Sequence, residues 1–149
     1  MPDPTLRFVG VIDGGKDIRD AFIGVVERTV TDLVLPYDIT KIGTSAFYGL
    51  TNLVSCALPA GVAEIGDSAF ENCANMESLT LPDGLISIGR KAFAQCAKLR
   101  LTELPESVES ISGYAFSACQ SLALTSLPAY LKTIDSGAFS GCVELAISA

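Results

Sequence analysis

Residues Leu53 to Cys73 read LVSCALPAGVAEIGDSAFENC. Cys56 and Leu58 alternate with the period of two expected of a strand. Pro59 has no N–H, so it ends the ladder and turns the chain. Val62 and Ile65 follow at a spacing of three, and Gly66 opens a second turn. Ala69, Phe70 and Cys73 suit one tight helical turn that returns the chain to Met76. The unit carries an apolar stripe that it cannot bury alone.

Outward from this stretch, the unit recurs. Phe47, Phe70, Phe93, Phe116 and Phe139 are each 23 residues apart, as are Pro36, Pro59, Pro82, Pro105 and Pro128. Ile42, Ile65, Ile88, Ile111 and Ile134 keep the same step, and so do the Ala before each Phe and the Leu before each Pro. Columns in one register without an insertion mark a solenoid. Stacking places each Phe against the next. Parallel rungs lie about 4.8 Å apart, so five of them make a rod of roughly 25 Å.

The pattern L-x-x-[LC]-x-L-P-x-x-[VIL]-x-x-I-G-x-x-A-F-x-x-C resembles the BspA-like leucine-rich repeat family. It runs from Leu33 to about Ile147, and its A-F-x-x-C element separates it from ordinary leucine-rich repeats. The resemblance implies a right-handed, β-rich (α+β) repeat solenoid with a strand on one face and short strand or helical segments opposite. It also implies a surface protein used in adhesion or protein binding, and the family includes proteins of phages and prophages. Leu50 replaces the first Cys of its column. Ser112 and Asp135 replace the Gly after Ile.

The strand segments of the last two repeats read LRLTELP and LALTSLP, with Thr102 and Thr125 where Leu33, Cys56 and Leu79 stood. If the earlier phase holds, Leu101 and Leu124 face out. A bulge would turn both leucines in and the threonines out, and burying them gains roughly 3–5 kcal/mol, which favours the bulge.

Residues 1–32 read as an N-terminal strand and helix cap, and 33–149 as five leucine-rich repeats, in a single domain. Ile18, Ala21, Phe22, Val25 and Val26 follow an amphipathic helical spacing, with Asp17 as N-cap, and TLRFVGVI (5–12) adds a strand. At the other end, Glu144 to Ser148 forms an edge strand over an exposed layer, which predicts a homodimer through the C-terminal edge.

Composition narrows the chemistry. Of 149 residues, 49% are hydrophobic and 18% charged, which excludes a disordered tail. No run of about 20 apolar residues exists to span a membrane. The first residues open with an acid and lack the apolar core of a standard secretory signal. Net charge is −7, with 17 acids against 10 bases, the wrong bias for nucleic acid. The absence of His removes the commonest general base and metal ligand.

Motifs that could carry chemistry are weak. GVIDGGKD (Gly10 to Asp17) nearly matches a P-loop, but Asp17 stands where Ser or Thr should hold magnesium, so a turn before a capped helix fits better. Cys73, Cys96, Cys119 and Cys142 form a straight column rather than a tetrahedron, and read as buried thiols without metal or disulfide. Glu103 and Glu109 are the nearest approach to a glycosidase acid pair, and nothing in the spacing pairs them.

The reading is a non-catalytic scaffold, without cofactor, that presents an extended surface to a protein or cell-surface partner. Phase alternation puts Asp32, Ser55, Ser78, Leu101, Leu124 and Ile147 in one outward row. Val34, Ala57, Thr80, Glu103 and Ser126 form the next. Tyr37, Tyr48, Tyr114 and Tyr130 fall off the repeating columns and are further contact candidates. The alternatives are a structural or accessory protein of a phage or prophage and, more remotely, a carbohydrate-active enzyme.

Overall fold

The computed structural model describes residues 5–7, 31–35 and 37–145. The chain winds as a β-solenoid in which each coil has three sides. One side is a parallel four-stranded sheet of β1 (Thr5–Arg7), β2 (Asp32–Val34), β4 (Ser55–Ala57) and β6 (Ser78–Thr80), in that order. The second is a parallel five-stranded sheet of β3 (Lys41–Ile42), β5 (Glu64–Ile65), β7 (Ser87–Ile88), β8 (Ser110–Ile111) and β9 (Thr133–Ile134). The third side is a ladder of tight turns around the A-F dipeptide.

Within the two sheets, register follows the repeat. Ser55 pairs with Ser78 and Cys56 with Leu79 across β4 and β6, and Ile42, Ile65, Ile88, Ile111 and Ile134 are paired successively. The expected strand in 5–12 is present over Thr5–Arg7, parallel to β2 with Leu6 opposite Leu33. The capping helix and the P-loop-like segment lie outside the described residues, as do Ile147 and most of the expected C-terminal edge strand.

The interior is apolar throughout. Leu33, Cys56 and Leu79 point in from the first sheet, and Ile42, Ile65, Ile88 and Ile111 from the second; Ile134, in the last described coil, is exposed. Phe47, Phe70, Phe93 and Phe116 are fully buried and stack with centroids 5.3 Å apart; Phe139 continues the stack at 5.6 Å. Such rings add offset-stacking energy to the area they bury.

The A-F segment is not the helical turn expected. Successive short turns, such as Ala69 N to Gly66 O and Glu71 N to Ser68 O, bend it instead. Left-handed residues flank the Phe in each coil: Ser68 and Asn72, Lys91 and Gln95, Tyr114 and Ala118 all have φ near +60°. A helix cannot contain such residues. The backbone instead bonds between coils: the N–H groups of Ser68, Phe70 and Asn72 donate to the C=O groups of Arg90, Ala92 and Ala94 in the next coil. Every later seam on this side repeats the three bonds in the same direction.

Candidate interaction surface

The strand side of the solenoid changes character between the third and fourth coils. In the third coil the inward residues are Met76, Leu79 and, partly, Leu81. In the fourth they are Leu99, Leu101 and Leu104, and in the fifth Leu122 and Leu124, with Leu127 half-buried. Two outward residues thus precede the central inward one in the third coil and follow it in the fourth and fifth. Leu101 is 9% exposed and Leu124 0%, while Thr102 and Thr125 are exposed. The shift favoured on burial grounds is the one that occurs.

This corrects the outward row. Leu101 and Leu124 belong to the core and leave the candidate surface, because two leucines gain more from the interior than a regular ladder would return. The first sheet accordingly ends at β6, although the second sheet and the Phe stack continue through both remaining coils.

The other candidate residues of these rows are solvent-facing to differing degrees. Ala57, Ser78, Thr80, Glu103 and Ser126 are exposed, as is Val34. Ser55 is half-buried and donates its hydroxyl to Asp32, which also accepts from Thr31 at 3.1 Å. The result is a shallow face of short hydroxyl and methyl side chains.

The tyrosines are not gathered there. Tyr37 is 83% exposed and Tyr130 69%. Tyr48 and Tyr114 sit on the turn side. Tyr48 Oη accepts from Asn72 Nδ2 at 3.1 Å. The ring of Tyr114 lies so close over Gly137 that a Cβ there would come within 2.4 Å of Cε1. These two tyrosines are fixtures of turns, and the four do not form one patch.

Neither Glu103 nor Glu109 faces the other across a cleft. Glu103 lines the strand side, whereas Glu109 precedes β8 on the second sheet and binds Lys132 at 3.0 Å. The thiols of Cys73, Cys96, Cys119 and Cys142 donate to the carbonyls of Phe47, Phe70, Phe93 and Phe116 at 3.0–3.2 Å. Burial pushes Cys73 and Cys119 up to about 12, and raises Cys56 and Cys96 as well. These are protonated donors inside the core, without the thiolate a nucleophile needs. Cys142, expected to be buried like the others, is only partly so, because among the described residues no further coil stacks on it.

Sequence reasoning missed the surroundings of Arg100. A cavity of about 290 Å³ opens where β6 meets the fourth coil, lined by Thr80, Asp83, Arg100, Thr102 and Glu103 over a floor that includes Leu79 and Leu101. The signal was in the sequence: L-x-L-x-x-L in the last two repeats against [LM]-x-x-[LC]-x-L in the two before them.

Comparison with known proteins places this geometry. Residues 20–146 match the BspA type leucine rich repeat region in six copies. The crystal structure of a leucine-rich repeat protein of T. pallidum superposes with a TM-score of 0.74 at 39% identity, over 78% of this chain and 57% of that one. A leucine rich cell surface protein of Faecalibacterium prausnitzii A2-165 gives 0.70 at 27% identity, over 79% and 32%. A leucine-rich repeat protein of Bacteroides ovatus ATCC 8483 gives 0.52 at 27%, over 75% and 41%. The chain therefore spans between 32% and 57% of the length of these proteins. It matches no curated protein.

Proposed function

Because the chain belongs to the BspA-type leucine-rich repeat family, we propose that it is a non-catalytic binding scaffold whose strand side receives a protein or cell-surface partner. The observation that carries this reading is the division of labour within each coil. The Phe column and the isoleucines Ile42, Ile65, Ile88 and Ile111 are spent on the interior, while the strand side offers a shallow face of mostly short side chains. Such a face suits an extended partner rather than a small substrate, for which a deep, enclosing pocket would be expected. The cell-surface description of the F. prausnitzii protein agrees with this role. No observation favours the phage reading, and it is not carried forward.

The test is a panel of immobilised cell-surface proteins and glycans probed with the whole chain. Binding that is lost when Ser78, Thr80 and Ser126 are together replaced by Arg, with the far-ultraviolet spectrum kept, is the expected result. Binding that survives this replacement would move the contact surface elsewhere.

The same reading extends to self-association. Ile134 is 44% exposed in the last described coil, Val143 is 75% exposed, and among the described residues β9 pairs only with β8. A second copy meeting this end two-fold would pair the β9 edges and cover Ile134. Sedimentation of the wild type against Ile134→Lys tests it: a dimer lost on substitution supports it, and a monomer at tens of micromolar refutes it.

A further inference from the structure

We propose that the seam between β6 and the fourth coil is a docking site for a short extended peptide carrying opposite charges three residues apart. The inference rests on the scaffold reading and locates the contact within its strand side.

The seam is open in its main chain. In β6, Ser78 N donates to Val54 O and Thr80 O accepts from Leu58 N, both toward the second coil. Alternation in a parallel ladder turns the N–H and C=O of Leu79, between them, toward the fourth coil. Neither has a backbone partner there. The bond from Arg100 N to Glu77 O, 3.2 Å, is the one backbone link across this part of the seam among the described residues. On the opposite wall, the N–H groups of Thr102 and Glu103 likewise have no backbone acceptor. The register shift has separated two strand segments whose counterparts in the earlier coils are paired. It leaves the N–H and C=O of Leu79 on one wall and the N–H donors of Thr102 and Glu103 on the other, because the carbonyls of Leu101 and Thr102 accept from Ala123 and Thr125 of the fifth coil. Between the walls lies the cavity of about 290 Å³. Groups in this arrangement recognise another main chain, as in strand addition.

Charge gives the site a direction. Arg100 stands where the fourth coil's strand segment begins, and Glu103 and Asp83 stand toward its end. None of the three is in an ion pair among the described residues. Arg100 and Glu103 are three residues apart, about 10 Å in extended chain. A peptide lying along the seam would set its acidic group at Arg100 and its basic group at Asp83 and Glu103.

The experiment titrates the full chain, followed by amide NMR shifts, with two capped peptides, Asp-Val-Thr-Lys and Lys-Val-Thr-Asp. One order should bind at least fivefold tighter, with shifts centred on Leu79 and Thr102. Arg100→Glu combined with Glu103→Arg should reverse the preference. Leu101→Ser with Thr102→Leu copies the third coil, restores the ladder and should remove binding while leaving the Phe stack intact. Equal binding of both orders, binding that survives the ladder-restoring pair, or shifts at the seam only with an uncharged oligosaccharide would each overturn the proposal. If the peptides fail while the strand-side Arg replacements still abolish partner binding, the seam inference falls and the scaffold reading stands.

Discussion

The third and fourth coils bury the same kinds of side chain and differ in which half of the strand segment bends. In the third, Leu79 sits three residues after Met76 and two before Leu81, and the ladder to the second coil is complete. In the fourth, Leu101 sits two after Leu99 and three before Leu104, and no strand forms there. The isoleucine, alanine and phenylalanine columns run through both without change. The difference teaches which interaction yields. A buried leucine is worth about 1.5–3 kcal/mol, and a backbone hydrogen bond exchanged for one to water about 0.5–1.5 kcal/mol. Where the two conflict, the leucine sets the register.

If the Phe column holds the two halves together, Phe93→Ala, between Phe70 and Phe116, should cost about 3–5 kcal/mol in urea denaturation and leave a single transition. Separate melting of the first three coils would break the comparison, since the halves would then be independent. The register shift itself is sharpened by Leu124→Ala, expected to cost about 2–5 kcal/mol, against Thr125→Ala, expected within about 0.5 kcal/mol. Equal costs would mean that the fifth coil keeps the phase of the third.

The thiols distinguish central from terminal coils by pH. Their folded pKa is raised, so between the ordinary thiol value and about 12 the unfolded chain binds fewer protons than the folded one. Stability is therefore complete below about pH 8.5 and falls above it, by up to about 1.4 kcal/mol per pH unit per buried thiol. Cys119→Ala should flatten this alkaline decline more than Cys142→Ala, because Cys142 is only partly buried. A decline unchanged by Cys119→Ala would assign it to other groups.

The smallest effect concerns the turns. The last coil uses Gly137 and Gly141 at its two left-handed positions, whereas the fourth uses Tyr114 and Ala118. Ala118→Gly should raise stability by about 0.5–1 kcal/mol, as relief of left-handed strain outweighs the added chain entropy. A loss on thermal melting would show that the Ala118 methyl contributes more by packing than it costs in strain.

The interior was legible because its columns are strict. Phe, Ile, Ala and Leu recur at a fixed step, and burial requires nothing further of them. The bulge could be anticipated from Leu101 and Leu124, since apolar gain argued for it against simple alternation. The turns were not legible. Lys91, Gln95 and Tyr114 have no preference for positive φ, and only Gly49, Asn72, Gly137 and Gly141 in the same columns hinted at it. Nor was the seam, because Arg100 and Asp83 acquire a common cavity only after the register has moved. Alternation alone placed Leu101 and Leu124 on the surface, and that reading failed because it treated the strand as regular.

The one-way bonds of the turn side give the rod an electrical sense. Peptide dipoles aligned in series add as they do along a helix. In the last coil, Gly137, Phe139 and Gly141 occupy the donor places, and their N–H groups have no backbone acceptor among the described residues. That corner is the positive pole of the stack formed by the described coils. Two copies brought together by a two-fold axis at this end would oppose like poles on the turn side while their β9 edges attract. Such a pair would close as a hinge, joined along the second sheet and splayed at the turns, rather than as a straight continuation of the rod.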